Sequence, residues 1–128
     1  MKQDNPKRSR NRIDSFRHAF AGLFYMLRTQ RNAWVHTAAT LGVVSLGLWL
    51  HLDAIHWSNL ALAIGLVWTS EFINTALEAV VDLASPDIHP LARVGKDVAA
   101  AAVLVGAITS VIVGLLVLGP PLWEKLIG

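Results

Sequence analysis

Four polar side chains that could do chemistry lie on one face of a predicted helix: Glu71, Asn74, Glu78 and Asp82. At about 100° per residue they fall within an arc of about 80°. The stretch around them is apolar enough to enter a membrane, where a charged side chain is costly and therefore indicates a functional site. Carboxylates can hold Mg²⁺ and can also act as general bases. The stripe therefore predicts a catalytic or ion-binding face.

The residues after this stripe add further reactive groups. Asp87 and His89 lie in a loop with two prolines, and Lys96 and Asp97 stand near the start of the next apolar run. A lysine can neutralise phosphate oxygens, while carboxylates hold Mg²⁺ or take a proton near the lipid. The combination favours chemistry between a water-soluble charged substrate and a lipid headgroup.

The sequence excludes the familiar soluble motifs for nucleotide binding. Gly95 and Lys96 do not belong to a P-loop, because its first glycine would fall at Pro90, and no Gly-x-Gly-x-x-Gly occurs. The chain has no cysteine, and so thiolate metal sites and disulfides are unavailable. Zinc chemistry is poorly supported, because the histidines lack ligand-like spacing. They are His18, His36, His51, His56 and His89.

The elements that must position these side chains are predicted to be membrane helices. Of the 128 residues, 54% are hydrophobic and 16% are charged, and the mean hydropathy is +0.49. This composition is too apolar for an ordinary soluble domain, and we expect one all-α membrane domain over residues 1–128. Crossing a bilayer takes about 20 apolar residues, and the apolar runs predict transmembrane helices. These cover residues 33–52, 54–82 and 93–119.

Positive charge is concentrated before the first span. Eight of the eleven Lys and Arg residues precede Ala33, and the loop over residues 51–56 has none. The loop before the third span is followed closely by Arg93 and Lys96. By the positive-inside rule, the N-terminus and this second loop are cytoplasmic, whereas the first loop and the C-terminus are outside.

A basic tail and an amphipathic helix are predicted ahead of the spans. Residues 1–12 are polar and basic, and we expect a flexible tail there. Over residues 13–32, apolar side chains recur every three to four residues, as in Ile13, Phe16 and Phe20. Such a helix lies on the membrane surface with its basic flank on anionic headgroups, or packs on the transmembrane bundle, and both can hold together.

Small residues recur every fourth position on the third span, at Ala102, Gly106, Ser110 and Gly114. A stripe of this kind permits close helix packing, either within one chain or between copies. Three helices can hardly enclose a site alone, and this limit favours an oligomer.

The polar stripe and the segment after it resemble the signature of the prokaryotic diacylglycerol kinase and undecaprenol kinase family, small integral-membrane lipid kinases. The matching residues are Glu71-Phe-Ile-Asn74-Thr-Ala-Leu-Glu78-Ala-Val-Val-Asp82 and His89-Pro-Leu-Ala-Arg-Val-Gly-Lys96-Asp97. The resemblance continues through Phe16–Gly22 and Arg28–His36 and covers nearly the whole chain. The loop over residues 85–92 looks closer to the undecaprenol kinase branch.

The resemblance implies ATP-dependent phosphorylation of a membrane lipid alcohol, undecaprenol or diacylglycerol, by a homotrimer with shared active sites. It also implies an N-terminal surface helix, three spans and a place in the bacterial inner membrane, with membrane lipids and no nucleic acid as partners. The residue matching Glu71 is the general base, and the one matching Glu78 binds the Mg²⁺ that accompanies ATP. Further matches to nucleotide or active-site contacts are Asn74, Asp87, His89, Lys96 and Asp97.

One position departs from the family pattern. Where the family commonly has a second metal-binding glutamate, this chain has Gln30. An amide oxygen can still coordinate a hard cation, but it brings no charge. We therefore expect weaker Mg²⁺ binding at this metal-ligand position.

Two other interpretations of the stripe stay open on the residues alone. In a proton-coupled transporter, Glu71 would be a membrane-embedded proton site with access from both sides. Alternatively, the stripe would only join helices through polar contacts. A position at one interface, continuing into a loop with Lys96 and Asp97, suits catalysis better than transport.

Overall fold

The computed structural model describes residues 12–87 and 89–128, which form four helices. They are α1 (Arg12–Thr29), α2 (Arg31–Trp49), α3 (Ala54–Ala84) and α4 (Pro90–Ile127). The all-α class predicted from the sequence is confirmed. The basic tail predicted over residues 1–12 lies, apart from Arg12, outside the described residues.

Two of these helices, α3 and α4, are long and apolar enough to cross a membrane. Helix α2 does not reach the same apolarity, because its first turns carry Asn32, His36 and Thr37. Helix α4 extends beyond the predicted 93–119 span at both ends and continues through Pro120 and Pro121.

The break between α1 and α2 falls at Gln30, which has an extended backbone (φ −100°, ψ 116°). Helix α1 turns an aromatic face outward, since Phe16, Phe20 and Phe24 are all exposed. Met26 is its one buried side chain among the described residues. The amphipathic helix predicted over 13–32 is therefore divided by Gln30, and its last two residues open α2.

A tight turn connects α2 to α3. His51 has a left-handed backbone (φ 56°), which few side chains adopt readily. Asp53 then caps α3 by accepting a hydrogen bond from the His56 backbone N–H at 2.9 Å. This hydrogen bond, with a second from the His56 side chain, lowers the pKa of Asp53 below its usual range.

Helix α3 packs chiefly against α4. A Cβ placed on Gly106 would lie 3.0 Å from Oγ of Ser70, so a glycine there permits the close approach. One turn further on, Ser110 Oγ donates a hydrogen bond of 2.8 Å to the carbonyl of Ala63. Two members of the predicted small-residue stripe thus pack within one chain.

The end of the bundle opposite the polar stripe is closed by apolar packing. Leu60 of α3 and Val117 and Leu118 of α4 form its buried cluster. Lys125 reaches from α4 to α2, where Nζ donates to the carbonyl of Trp49 at 2.7 Å and lies 4.5 Å from the centre of its ring. These contacts hold the last turns of α4 in place beyond the two prolines.

Candidate active site

Glu71 is the most deeply buried of the charged side chains that the structure describes, at 2% exposed. It lies in the middle of α3 and faces α2, where Nε2 of His36 is 2.8 Å from its Oε1. The ring of His36 meets the ring of Trp68 edge-on, with 6.3 Å between centroids. Trp68 in turn donates to Thr40 Oγ1 at 3.2 Å. Two helices thus fix the buried carboxylate.

One turn along α3, Asn74 and Glu78 form a second polar pair. Asn74 Nδ2 donates to Glu78 Oε1 at 3.1 Å. The carbonyl oxygen of Asn74 and the hydroxyl of Thr75 are buried, and neither finds a hydrogen-bond partner among the described residues. A buried polar atom without a partner is costly, and an unpaired oxygen acceptor in a site suits a ligand with positive charge.

A third pair connects the last turns of α3 to the first turns of α4. Lys96 Nζ forms an ion pair with Oδ1 of Asp82. Asp97 faces Arg93 at 3.9 Å on the same helix, and both side chains are largely exposed. Lys96 is itself half-buried, and its charge therefore lies beside the oxygen-rich face of α3.

The loop before α4 carries the remaining predicted site residues. His89 caps α4, because its Nδ1 accepts a hydrogen bond of 3.2 Å from the Leu91 backbone N–H. Asp87 is exposed, and its carbonyl accepts a hydrogen bond from Ser85 Oγ at 3.0 Å. Both side chains are available to a ligand that approaches from solvent.

Gln30 is half-buried at the α1–α2 break and makes no side-chain capping bond. Over residues 12–87 and 89–128, no group of three His, Asp or Glu side chains gathers closely enough to hold a metal ion. The polar contacts along α3 thus form separate pairs, Glu71 with His36, Asn74 with Glu78 and Asp82 with Lys96, rather than one cluster.

An apolar cavity of about 550 Å³ opens between α2, α3 and α4, and Glu71 does not itself line it. Val43, Ile64, Val67 and Val111 are among the side chains that line it. His36 also lines it, and this residue joins the cavity to Glu71.

His36 is the site residue that the sequence did not single out. Its partner is 35 residues away, and helical periodicity cannot show a contact over that separation. The available signal was an imidazole inside an otherwise apolar run.

Comparison with known proteins identifies the family. The model described as "Prokaryotic diacylglycerol kinase" matches residues 17–118. A diacylglycerol kinase of Synechocystis sp. is 47% identical over 118 residues, which are 91% of this chain and 67% of that protein. The undecaprenol kinase of Bacillus subtilis is 44% identical, covering 84% of this chain and 88% of the relative. A diacylglycerol kinase of Helicobacter pylori is 35% identical, with 73% and 78% covered. The chain therefore belongs to the prokaryotic diacylglycerol kinase family.

Proposed function

We propose that this protein transfers the γ-phosphoryl group of ATP to the hydroxyl of a membrane lipid alcohol, either undecaprenol or diacylglycerol. Relatives with both substrates in their names match at similar identity, 47% and 44%, and they support the lipid kinase class without separating the two. The structural observation that carries the proposal is the buried Glu71, which is hydrogen-bonded to His36, a residue that also lines an apolar cavity. A general base for a lipid hydroxyl needs this combination of a fixed carboxylate and an apolar approach.

In the proposed arrangement, α2, α3 and α4 cross the bacterial inner membrane and α1 lies on its surface. The apolarity of α3 and α4 supports their part in this, and the exposed aromatic face of α1 suits the interface. The excess of Lys and Arg before Ala33 supports a cytoplasmic N-terminus. Glu78 and Asp82 then lie toward the cytoplasm, where ATP is available.

The proposed reaction is an in-line displacement at the γ-phosphorus. The lipid oxygen forms a bond to phosphorus while the bond to the β–γ bridging oxygen breaks and ADP leaves. Glu71 takes the proton of the lipid hydroxyl as that oxygen attacks. Lys96 neutralises charge on the phosphoryl oxygens, and its ion pair with Asp82, one turn beyond Glu78, supports this role.

The oxygen-bearing side chains of α3 fit a hard cation. Glu78 supplies a carboxylate, and the unpaired carbonyl oxygen of Asn74 lies on the same face of the helix. Glu78, with Gln30 as a weaker second ligand, would hold Mg²⁺. When bound, Mg²⁺ supplies charge neutralisation at the phosphates. We assign Asn74, Asp87, His89, Lys96 and Asp97 to contacts with the nucleotide.

A homotrimer with shared sites completes the proposal. Large apolar side chains stay exposed along both faces of the α3–α4 pair, among them Leu62, Ile73, Leu104 and Val111. Lipid tails and neighbouring copies are the two surroundings in which such faces are stable. The pairing of site residues along α3, without a metal cluster among the described residues, suits a site that a second copy completes.

Phosphate transfer from labelled ATP tests the function directly. The purified protein, in mixed micelles with Mg²⁺, is offered undecaprenol and diacylglycerol in parallel, alongside Glu71→Gln. We expect transfer to one lipid and a loss of at least a hundredfold in the variant, as for removal of a general base. If neither lipid is phosphorylated by folded protein, the proposal is wrong. Parental turnover in Glu71→Gln would instead remove only the assignment of the base.

The transporter alternative has no support in these comparisons. The matched family and the three relatives described above are all named as kinases. The hydrogen bond between Asn74 and Glu78 and the ion pair between Asp82 and Lys96 continue the polar face toward one end of the bundle. A one-sided polar face suits catalysis at an interface rather than passage through the membrane.

A further inference from the structure

The contact between His36 and Glu71 has no role assigned by family membership or by sequence pattern. His36 comes from α2 and Glu71 from α3, and their side chains are 17% and 3% exposed. Among the described residues, His36 is the one side chain that forms a hydrogen bond with Glu71. A hydrogen bond this well shielded from water is worth more than the same bond on a surface.

We propose that His36 is a positioning residue for the phosphoryl transfer: its Nε2–H donates to Oε1 of Glu71 and aims the other carboxylate oxygen, Oε2, at the lipid hydroxyl. This inference rests on the proposed function, in which Glu71 is the base. His36 touches neither the lipid oxygen nor the phosphate in this role, and it acts only through Glu71.

The direction of the hydrogen bond follows from the chemistry of the base. To accept a proton, Glu71 must begin as a carboxylate, which has no proton to give. The ring nitrogen Nε2 is therefore the donor, and its hydrogen bond engages one of the two carboxylate oxygens, Oε1. The hydroxyl proton then passes to Oε2, and the Nε2–H stays on the ring throughout the step.

The surroundings of the ring fix its orientation. The edge contact with Trp68 restricts rotation of the imidazole, and Trp68 is itself anchored to Thr40 of α2. Carboxylate rotation about the last side-chain bond is broad when nothing holds it. A hydrogen-bond donor on a fixed ring narrows the range of orientations of the Glu71 carboxylate. Correct orientation of a catalytic group can raise the rate by a large factor.

The competing explanation is that the pair merely holds α2 against α3. Polar contacts between membrane helices do serve this purpose. In that case, loss of the donor lowers the stability of the protein but leaves the turnover of the folded fraction unchanged. The positioning role instead lowers kcat and leaves KM for lipid and ATP within about twofold, since neither ligand loses a contact.

Three variants separate these explanations. His36→Leu removes the donor, His36→Gln restores an N–H at the end of a side chain of similar reach, and Thr37→Val is the control. Thr37 neighbours His36 but bonds within its own helix, to the carbonyl of Ala33 at 2.7 Å. We measure kcat, both KM values and thermal stability in mixed micelles, with turnover expressed per folded protein.

We expect His36→Leu to lower kcat about ten- to hundredfold, the usual effect of removing a hydrogen bond to a charged group. His36→Gln should recover most of this, and Thr37→Val should match the parent. Adding His36→Leu to Glu71→Gln should cause no further loss, because both changes affect one proton transfer.

Parental kcat in His36→Leu overturns the inference, and equal loss in His36→Gln and His36→Leu does so as well. If Glu71→Gln is inactive while His36→Leu is unaffected, the proposed function stands and only the role of His36 is wrong. If His36→Leu does not fold, His36→Met offers a more adaptable apolar side chain without a donor, and the same criteria apply.

Discussion

Lys96 of α4 is paired with Asp82 of α3, one helical turn beyond Glu78. The pair joins two helices at the end of the bundle where the chain leaves the predicted membrane level. In the proposed reaction, the same ammonium group faces the phosphates of ATP, and so Asp82 sets where that charge stands before the nucleotide arrives. The carboxylate also becomes a source of repulsion if the lysine is removed.

The first prediction concerns this pair. Lys96→Met should raise KM for ATP about tenfold, because a charge-assisted hydrogen bond is lost and Asp82 is left to repel the phosphates. Adding Asp82→Asn to Lys96→Met should lower KM for ATP again by about threefold, because the repelling charge is removed. Steady-state kinetics at saturating lipid measures both, with Lys125→Met at the far end of α4 as the control. A double variant that is no better than Lys96→Met would contradict the repulsion.

Glu78→Gln tests the metal assignment. Replacing a carboxylate ligand by an amide should raise the Mg²⁺ concentration for half-maximal rate about tenfold, since the site loses a full charge. Part of the rate should return at saturating Mg²⁺. The exposed Glu124→Gln, at the other end of the bundle, serves as the control. An unchanged Mg²⁺ dependence in Glu78→Gln would remove that residue from the role.

Gln30→Glu should have the opposite effect. The change introduces a carboxylate, which brings a full negative charge to the cation, and we expect the half-maximal Mg²⁺ concentration to fall several-fold. Gln30→Ala should raise it, because the amide oxygen is lost as well. Mg²⁺ titration of the phosphate transfer rate compares the three proteins, and identical curves would exclude this position from the metal site.

The packing of α3 on α4 makes a fourth prediction. Gly106→Leu should destabilise the protein by about 1–3 kcal/mol, the usual cost of overpacking, because a Cβ already meets Ser70 Oγ at 3.0 Å. Gly65→Leu is the matched change on α3, where a Cβ meets nothing within 4 Å among the described residues outside its own helix backbone. Thermal unfolding in detergent should show a clear loss only for Gly106→Leu, and equal losses would argue against the close approach.

Much of this fold could be predicted from local pattern. The apolar runs predict helices, as expected for long segments of one period, and α3 begins at Ala54. The end of α4 could not be predicted in this way. Pro120 and Pro121 lack backbone donors and usually end a helix. Here the helix continues through them, and Lys125 beyond them contacts Trp49 of α2.

In the candidate site, too, contacts within one helix could be predicted from the sequence, whereas contacts between two helices could not. The shared face of Asn74 and Glu78 is a matter of helical periodicity within one element, and their hydrogen bond confirms that they are neighbours. The contacts of Glu71 with His36 and of Lys96 with Asp82 each join two helices. Such contacts depend on how helices rotate against one another, which no single-sequence pattern fixes.

Because Glu71 and Glu78 lie at different heights along α3, the proposed reaction depends on the thickness of the bilayer. From Ala54, Glu71 lies about 26 Å along the helix axis and Glu78 about 36 Å, whereas a hydrocarbon core is about 30 Å thick. In the proposed orientation, the base is just inside the apolar slab and the metal ligand just outside it. In a bilayer of lipids with longer tails, Glu78 would enter the hydrocarbon core. In a thinner bilayer, Glu71 would be exposed to water. Hydrophobic mismatch could thus tune turnover without any change in the protein.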